Sequence, residues 1–193
     1  STGYCVVKRW LKLLNTDCRV IRIQKKWIYP IYKNAFTSLD TVASEERLNG
    51  DIANCDNIIV FLRNQENRFP SGVGEYLDNS NNVNQQKTEH GVPSIMPKQV
   101  IDKIISGEIQ DRHFCPQAVW LFHLYRHYQG NLSVKAMSDA KDYTHLRMKE
   151  GKYKNFKLSA PEHYLADDRK LMKFIGQDVN IKTVMEELGY VLS

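Results

Sequence analysis

The spacing of hydrophobic positions changes several times along the chain, and each change predicts an element. Val7, Trp10, Leu11 and Leu14 recur at helical intervals, which predicts an amphipathic helix over roughly residues 4–15. From Arg19 to Tyr32 the residues turn β-branched and aromatic (RVIRIQKKWIYPIY), predicting one or two strands. After the short polar segment Lys33–Ser38, the positions Leu39, Val42, Ala43, Glu46 and Arg47 suit a helix running to Asn49-Gly50. Asn57–Leu62 is a continuous apolar run whose length and branching predict a buried strand, parallel to its neighbours and covered on both faces.

Residues 66–78 read as the following helix, and the Asn-, Gln- and Ser-rich tract 78–94 as a loop. Pro97 opens a helix bearing Val100, Ile101, Ile104 and Ile105, and Gly107 closes it. Residues 118–127 are so uniformly apolar that strand and helix cannot be told apart there. Residues 131–137 alternate like a strand, and two helices follow near 167–176 and 180–189. Strands alternating with helices predict an α/β fold. With no internal repeat and no linker, residues 1–193 read as a single domain.

Composition narrows the function class. A hydrophobic share of 42% and a charged share of 25% are those of a globular chain, which excludes wholesale disorder. The net charge of +5 favours anionic ligands such as phosphates, sulfated sugars or nucleic acid. Cys5, Cys18, Cys55 and Cys115 contain no CxxC pair, so neither a zinc framework nor a dense disulfide scaffold is expected; Cys55 and Cys115 read as small buried hydrophobes. No signal-peptide pattern is evident and no apolar run approaches the ~20 residues that span a bilayer. The expectation is a soluble, cytoplasmic chain that engages no membrane.

Two segments carry candidate chemistry. The first runs from a strand (Trp27–Tyr32) through Lys33-Asn34-Ala35-Phe36-Thr37-Ser38 into a helix. Such a loop aims backbone N–H groups at one point, Lys33 adds a charge, and Thr37 and Ser38 add hydroxyl donors, so the segment reads as an anion site. It is not a Walker A loop, since G-x-x-x-x-G-K-[ST] is absent. The second is Arg63-Asn64-Gln65-Glu66-Asn67-Arg68-Phe69-Pro70-Ser71-Gly72, directly after the buried strand. Arg63 stands at the strand's C-terminal edge, where open α/β sheets bind ligands. Arg68 and Ser71, three apart, share one helix face.

In order and spacing, the Lys-x-x-x-Thr-Ser loop followed by Arg-x-x-x-x-Arg-x-x-Ser resembles the sulfotransferases that use 3'-phosphoadenosine-5'-phosphosulfate (PAPS). The resemblance implies a P-loop-like, three-layer α/β domain with a central, mainly parallel sheet flanked by helices. It places Lys33, Thr37 and Ser38 on the 5'-phosphosulfate and Arg63 and Ser71 on the 3'-phosphate, matches Arg68 to the family's second arginine, and counts Asn34, Ala35, Phe36 and Arg68 with them as cofactor-binding. Ala35 is similar to the carbohydrate-modifying branch, as is His113-Phe114-Cys115-Pro116-Gln117, an element of the form His-aromatic-x-Pro-Gln. Transfer to a hydroxyl of a glycan acceptor, with adenosine 3',5'-bisphosphate as product and no metal, is what the resemblance implies.

The chain departs from the family pattern in three ways. Asn64-Gln65 replaces the usual Asp-Pro, Pro30 stands three positions before Lys33, and only about two dozen residues separate Ser38 from Arg63. Many relatives place a catalytic base in that interval. The general base is therefore open: His113 is the first candidate, and Glu45 and Glu46 are its rivals. Lys33 is expected to neutralise the leaving 5'-phosphate. The basic, aromatic stretch 151–157 supplies Lys152, Lys154 and Lys157 as further anion contacts, Lys157 foremost. His123 and His127 stand four apart, which would suit a metal on a helix, but no metal is expected because no H-E-x-x-H pattern accompanies them. The alternative function is a basic nucleic-acid-binding protein without catalysis, although the cations are dispersed and no nucleic-acid motif is present. A nucleotide kinase is disfavoured by the missing Walker lysine-serine pair.

Overall fold

The computed structural model describes residues 9–14, 17–34, 36–79, 97–137, 144–149 and 153–192, with the backbone alone described at 36–38 and 97. Six strands form one sheet: β1 (Arg19–Ile23), β2 (Lys26–Tyr29), β3 (Glu45–Leu48), β4 (Asn57–Leu62), β5 (Asn131–Ala136) and β6 (Asp178–Asn180). The helices are α1 (9–13), α2 (Phe36–Thr41), α3 (Gln65–Asp78), α4 (Pro97–Ile105), α5 (Gln117–Tyr125), α6 (Glu162–Met172) and α7 (Ile181–Glu187).

The strand order is β3-β1-β2-β4-β5-β6. β2, β4 and β5 are parallel, in register Tyr29↔Val60 and Val60↔Val134, whereas β1, β3 and β6 pair antiparallel with their neighbours. The sheet is thus mixed, and the expectation of a mainly parallel one is corrected. Its cause is local. β1 and β2 are joined by only Gln24-Lys25, both at positive φ (48° and 65°) as a two-residue hairpin requires, and so short a link forces antiparallel pairing.

The helix expected from Leu39 to Asn49 is also corrected: α2 ends at Thr41, and residues 45–48 form the edge strand β3. Ser44 N–H donates to Arg22 O at 2.8 Å. Beyond it, Arg22 and Arg19 of β1 form ion pairs with Glu45 and Glu46, both at 2.5 Å. Tertiary pairing with a basic strand overrides the local helical spacing.

Successive β4 side chains serve different clusters. Ile58, Val60 and Leu62 enter the large core built with Trp10, Phe69, Phe114, Leu121, Tyr164 and their neighbours. Ile59 joins Ile21 and Ile28 in a small cluster edged by Leu39 of α2 and Ala43. The ambiguous apolar segment is helix α5: Ala118, Val119, Leu121 and Leu124 are all buried, and a helix apolar on every side belongs in the middle of a core. No described helix is long and apolar enough to cross a membrane.

Candidate functional site

Because β2 and β4 are adjacent and parallel, both chains leave the sheet on the same edge. Lys33 follows β2 and Arg63 follows β4. Arg63, almost wholly buried, donates from Nη1 to the backbone oxygen of Lys33 at 3.1 Å. Lys33 itself has φ 69°, a left-handed conformation uncommon outside glycine and one that sets it off from the strand. Its Nζ lies 3.7 Å from Glu75 Oε2 on α3. Burial holds the ammonium below the usual lysine range; Glu75 works against this, and the charges of Arg63 and Arg147 reinforce it. Lys33, Arg63 and Arg147 therefore lie close enough to act on one another, with Glu75 pairing with Lys33, an arrangement an anion would stabilise.

A buried polar clamp sets this geometry. Gln117, the first residue of α5, accepts through Oε1 from Arg63 N–H at 2.9 Å and from Asn34 Nδ2 at 2.7 Å. Its Nε2 donates to Arg63 O at 2.8 Å and to Asp168 of α6 at 2.7 Å. Asn34 Nδ2 also donates to Phe61 O at 2.8 Å. The loop after β2 is thereby tied to the end of β4. The Asn34 amide nitrogen is spent on this bracing, while its buried Oδ1 has no hydrogen-bond partner among the described residues. Burial pushes the Asp168 carboxyl up to about 6, against hydrogen bonds from Gln117 and the Gln65 backbone.

Arg68 requires a correction. It is fully buried, and its guanidinium donates to Tyr32 O (3.1 and 2.9 Å), to Gln65 Oε1 (3.3 Å) and to Cys115 O. It holds the loop after β2 against α3 and the 3-10 turn Arg112–Phe114, with its guanidinium engaged by these backbone and side-chain acceptors. Ser71 lies one turn on along α3 and is buried. The turn that Asp-Pro would shape is shaped here by Asn64, whose Oδ1 caps α3 by accepting from Glu66 N–H at 2.9 Å.

His113 sits in that 3-10 turn. Asp111 Oδ1 accepts from the His113 backbone N–H at 2.9 Å and lies 2.5 Å from Nδ1. Burial would raise the Asp111 carboxyl, yet the hydrogen bonds from His113 prevail and hold it below the usual carboxylate range. With Nδ1 so engaged, Nε2 is the ring atom that can take a proton. The ring packs 5.5 Å from that of Tyr32, the residue before Lys33. The backbone of this turn packs directly on α3 at Gly72, where a Cβ would meet His113 O at 2.1 Å. The structure therefore brings Lys33, Arg63, Ser71 and His113 around the first turns of α3.

Glu46 is elsewhere. It lies on the edge strand β3, separated from β2 by β1, and is engaged by Arg19, so its assignment as a base is withdrawn. Lys157 is exposed, bridged to His145 in a short antiparallel pair. That pair docks on α3: a Cβ on Gly74 would lie 2.9 Å from Arg147 N, and Asp78 accepts from Lys149 N–H at 2.9 Å. Lys154 is exposed nearby. Ala35 and Lys152 lie outside the described residues, as do the side chains of Phe36, Thr37 and Ser38.

The sequence reading gives Asp111 and Asp168 no role, and Gln65 appears there only as a departure from the family's Asp-Pro. Asp111 precedes His113 by two, a spacing that could have drawn attention; nothing in the sequence marks Asp168, which meets Gln117 only through the fold. A separate group, Cys18, His123 and His127, brings three potential metal ligands within 4.8 Å of one another. Comparison with known proteins returns no matching family model, no matching curated protein and no matching solved structure.

Proposed function

We propose that the chain is a PAPS-dependent sulfotransferase acting on a hydroxyl of a carbohydrate. The observation that carries this reading is the Arg63 guanidinium lying 3.1 Å from the Lys33 carbonyl, at the joined ends of two parallel strands. Two anion-seeking segments separated in sequence thus share one edge of the sheet, the position where α/β domains take nucleotides. A P-loop-like reading of β2, its loop and α2, with β4 alongside, is in keeping with this. α2 has only six residues, so its dipole is a minor contributor and the cations carry most of the attraction.

In the proposed reaction the acceptor oxygen attacks the sulfur of PAPS, and the bond from sulfur to the bridging phosphate oxygen breaks. His113 Nε2 takes the acceptor's proton, with Asp111 holding the ring and stabilising the imidazolium. Lys33 meets the charge that develops on the departing 5'-phosphate. Arg63 and Ser71 hold the 3'-phosphate, and the pair carrying Arg147, Lys154 and Lys157 extends the basic surface beside α3. Sugar as the acceptor class rests on the resemblance of Ala35 and of His113–Gln117 to the carbohydrate-modifying branch.

Calorimetry with adenosine 3',5'-bisphosphate tests the assignment. The wild type should bind with micromolar affinity and Arg63→Ala about 10–100-fold more weakly, as expected when a charged hydrogen-bonding partner is lost. A melting curve of each protein confirms that the variant is folded. Equal affinities remove Arg63 from the site. No binding of this nucleotide, together with tight oligonucleotide binding that falls steeply with salt, would establish the nucleic-acid-binding alternative instead.

A further inference from the structure

Cys18 precedes β1, and His123 and His127 lie at and just beyond the end of α5. The helix places the two imidazoles on one face, with ring centroids 5.6 Å apart. The fold then brings Cys18 to them, so that one ligand atom from each of the three residues lies within 4.8 Å of the others. Cys18 and His123 are buried and His127 is half-buried. His123 Nδ1 is enclosed and has no hydrogen-bond partner among the described residues, an arrangement that buried polar atoms rarely keep.

We propose that Cys18, His123 and His127 form a zinc site, independent of the sulfotransferase reading. One thiolate and two imidazoles are a donor set that a borderline-soft cation prefers to a hard one such as Mg2+ or Ca2+. Tetrahedral zinc has Zn–S of ~2.3 Å and Zn–N of ~2.0 Å, which puts the donors about 3.3–3.6 Å apart. Zinc binding therefore requires the three side chains to draw closer than they stand here. Zinc binding would displace the Cys18 thiol proton, since the thiolate is the ligand. His123 also lines a pocket of about 130 Å³ together with Asp17, Tyr32 and Arg112.

The full chain, stripped with chelator, is titrated with Zn2+ while bound metal is counted by elemental analysis, and Co2+ serves as a spectroscopic probe. One zinc per chain is expected, and a cobalt spectrum with tetrahedral d–d bands and a thiolate-to-cobalt charge-transfer band. His127→Asn, at a half-buried position past the helix end, should weaken zinc by more than about 100-fold, beyond the cost of an outer-shell change, with the metal-free melting point preserved. Cys18→Ser should abolish the charge-transfer band. Absence of stoichiometric zinc, retention of wild-type affinity in His127→Asn, or cobalt bound without the charge-transfer band would overturn the site.

Discussion

The side-chain amide of Gln117 hydrogen-bonds both backbone groups of Arg63, accepting from its N–H at 2.9 Å and donating to its carbonyl at 2.8 Å. It pairs with Arg63 as the next strand's backbone would, just where β4 ends. A side chain from a helix start thus fixes the residue that carries the candidate anion contact.

Replacing Gln117 by Leu keeps the volume and removes those bonds. It leaves the Arg63 backbone and Asp168 with buried groups unmatched. The expected loss is about 2–4 kcal/mol of stability, read as a lower urea midpoint at unchanged slope. A midpoint within error of the wild type would show that the clamp contributes nothing.

Gly72→Ala introduces a Cβ 2.1 Å from His113 O, and neither backbone can move without dragging its element. A helix normally gains by this substitution; here we expect a net loss of about 1–3 kcal/mol and a displaced His113. Gly50→Ala, where nothing lies within 4 Å, is the control and should stay within about 0.5 kcal/mol of wild type. Similar melting points for the two variants would contradict the contact.

Asp168 makes stability depend on pH in an unusual direction for a carboxyl. Its folded value of about 6 lies above the ordinary aspartate value of 3.8, chiefly through burial. The protonated form is therefore favoured on folding. The stability it contributes is full below about pH 4 and lost as pH rises through about 6. Asp168→Asn should remove of the order of 2–3 kcal/mol of this pH dependence and be neutral or stabilising at pH 7, measured by denaturation at several pH values. A slope between pH 4 and 6 identical to wild type would refute the assignment.

His113→Gln should lower sulfuryl transfer by about 100-fold or more while leaving the affinity for adenosine 3',5'-bisphosphate intact, because a proton acceptor is lost and no phosphate contact is. Asp111→Asn should give an intermediate loss. Steady-state rates alongside calorimetry separate the two effects, and unchanged rates in His113→Gln would return the search for a base to other residues.

The chain's own pattern determined the pieces whose cause is local. The unbroken run Asn57–Leu62 can only be a buried strand, Pro97 and Gly107 bracket α4, and Arg63 follows β4 by simple adjacency, so its place at a strand end was legible. Tertiary structure decided what local spacing leaves equal. Glu45–Leu48 became a strand because basic residues of β1 lie beside it, and the apolar residues of α5 became a helix because a core surrounds them. Arg68 was drawn from ligand to scaffold by carbonyls at Tyr32 and Cys115, and Cys18 met two histidines a hundred or so positions away. Hydrogen bonds and ligand sets of this kind join residues distant in sequence, and no periodicity in the chain encodes such partners; only the folded arrangement brings them within reach.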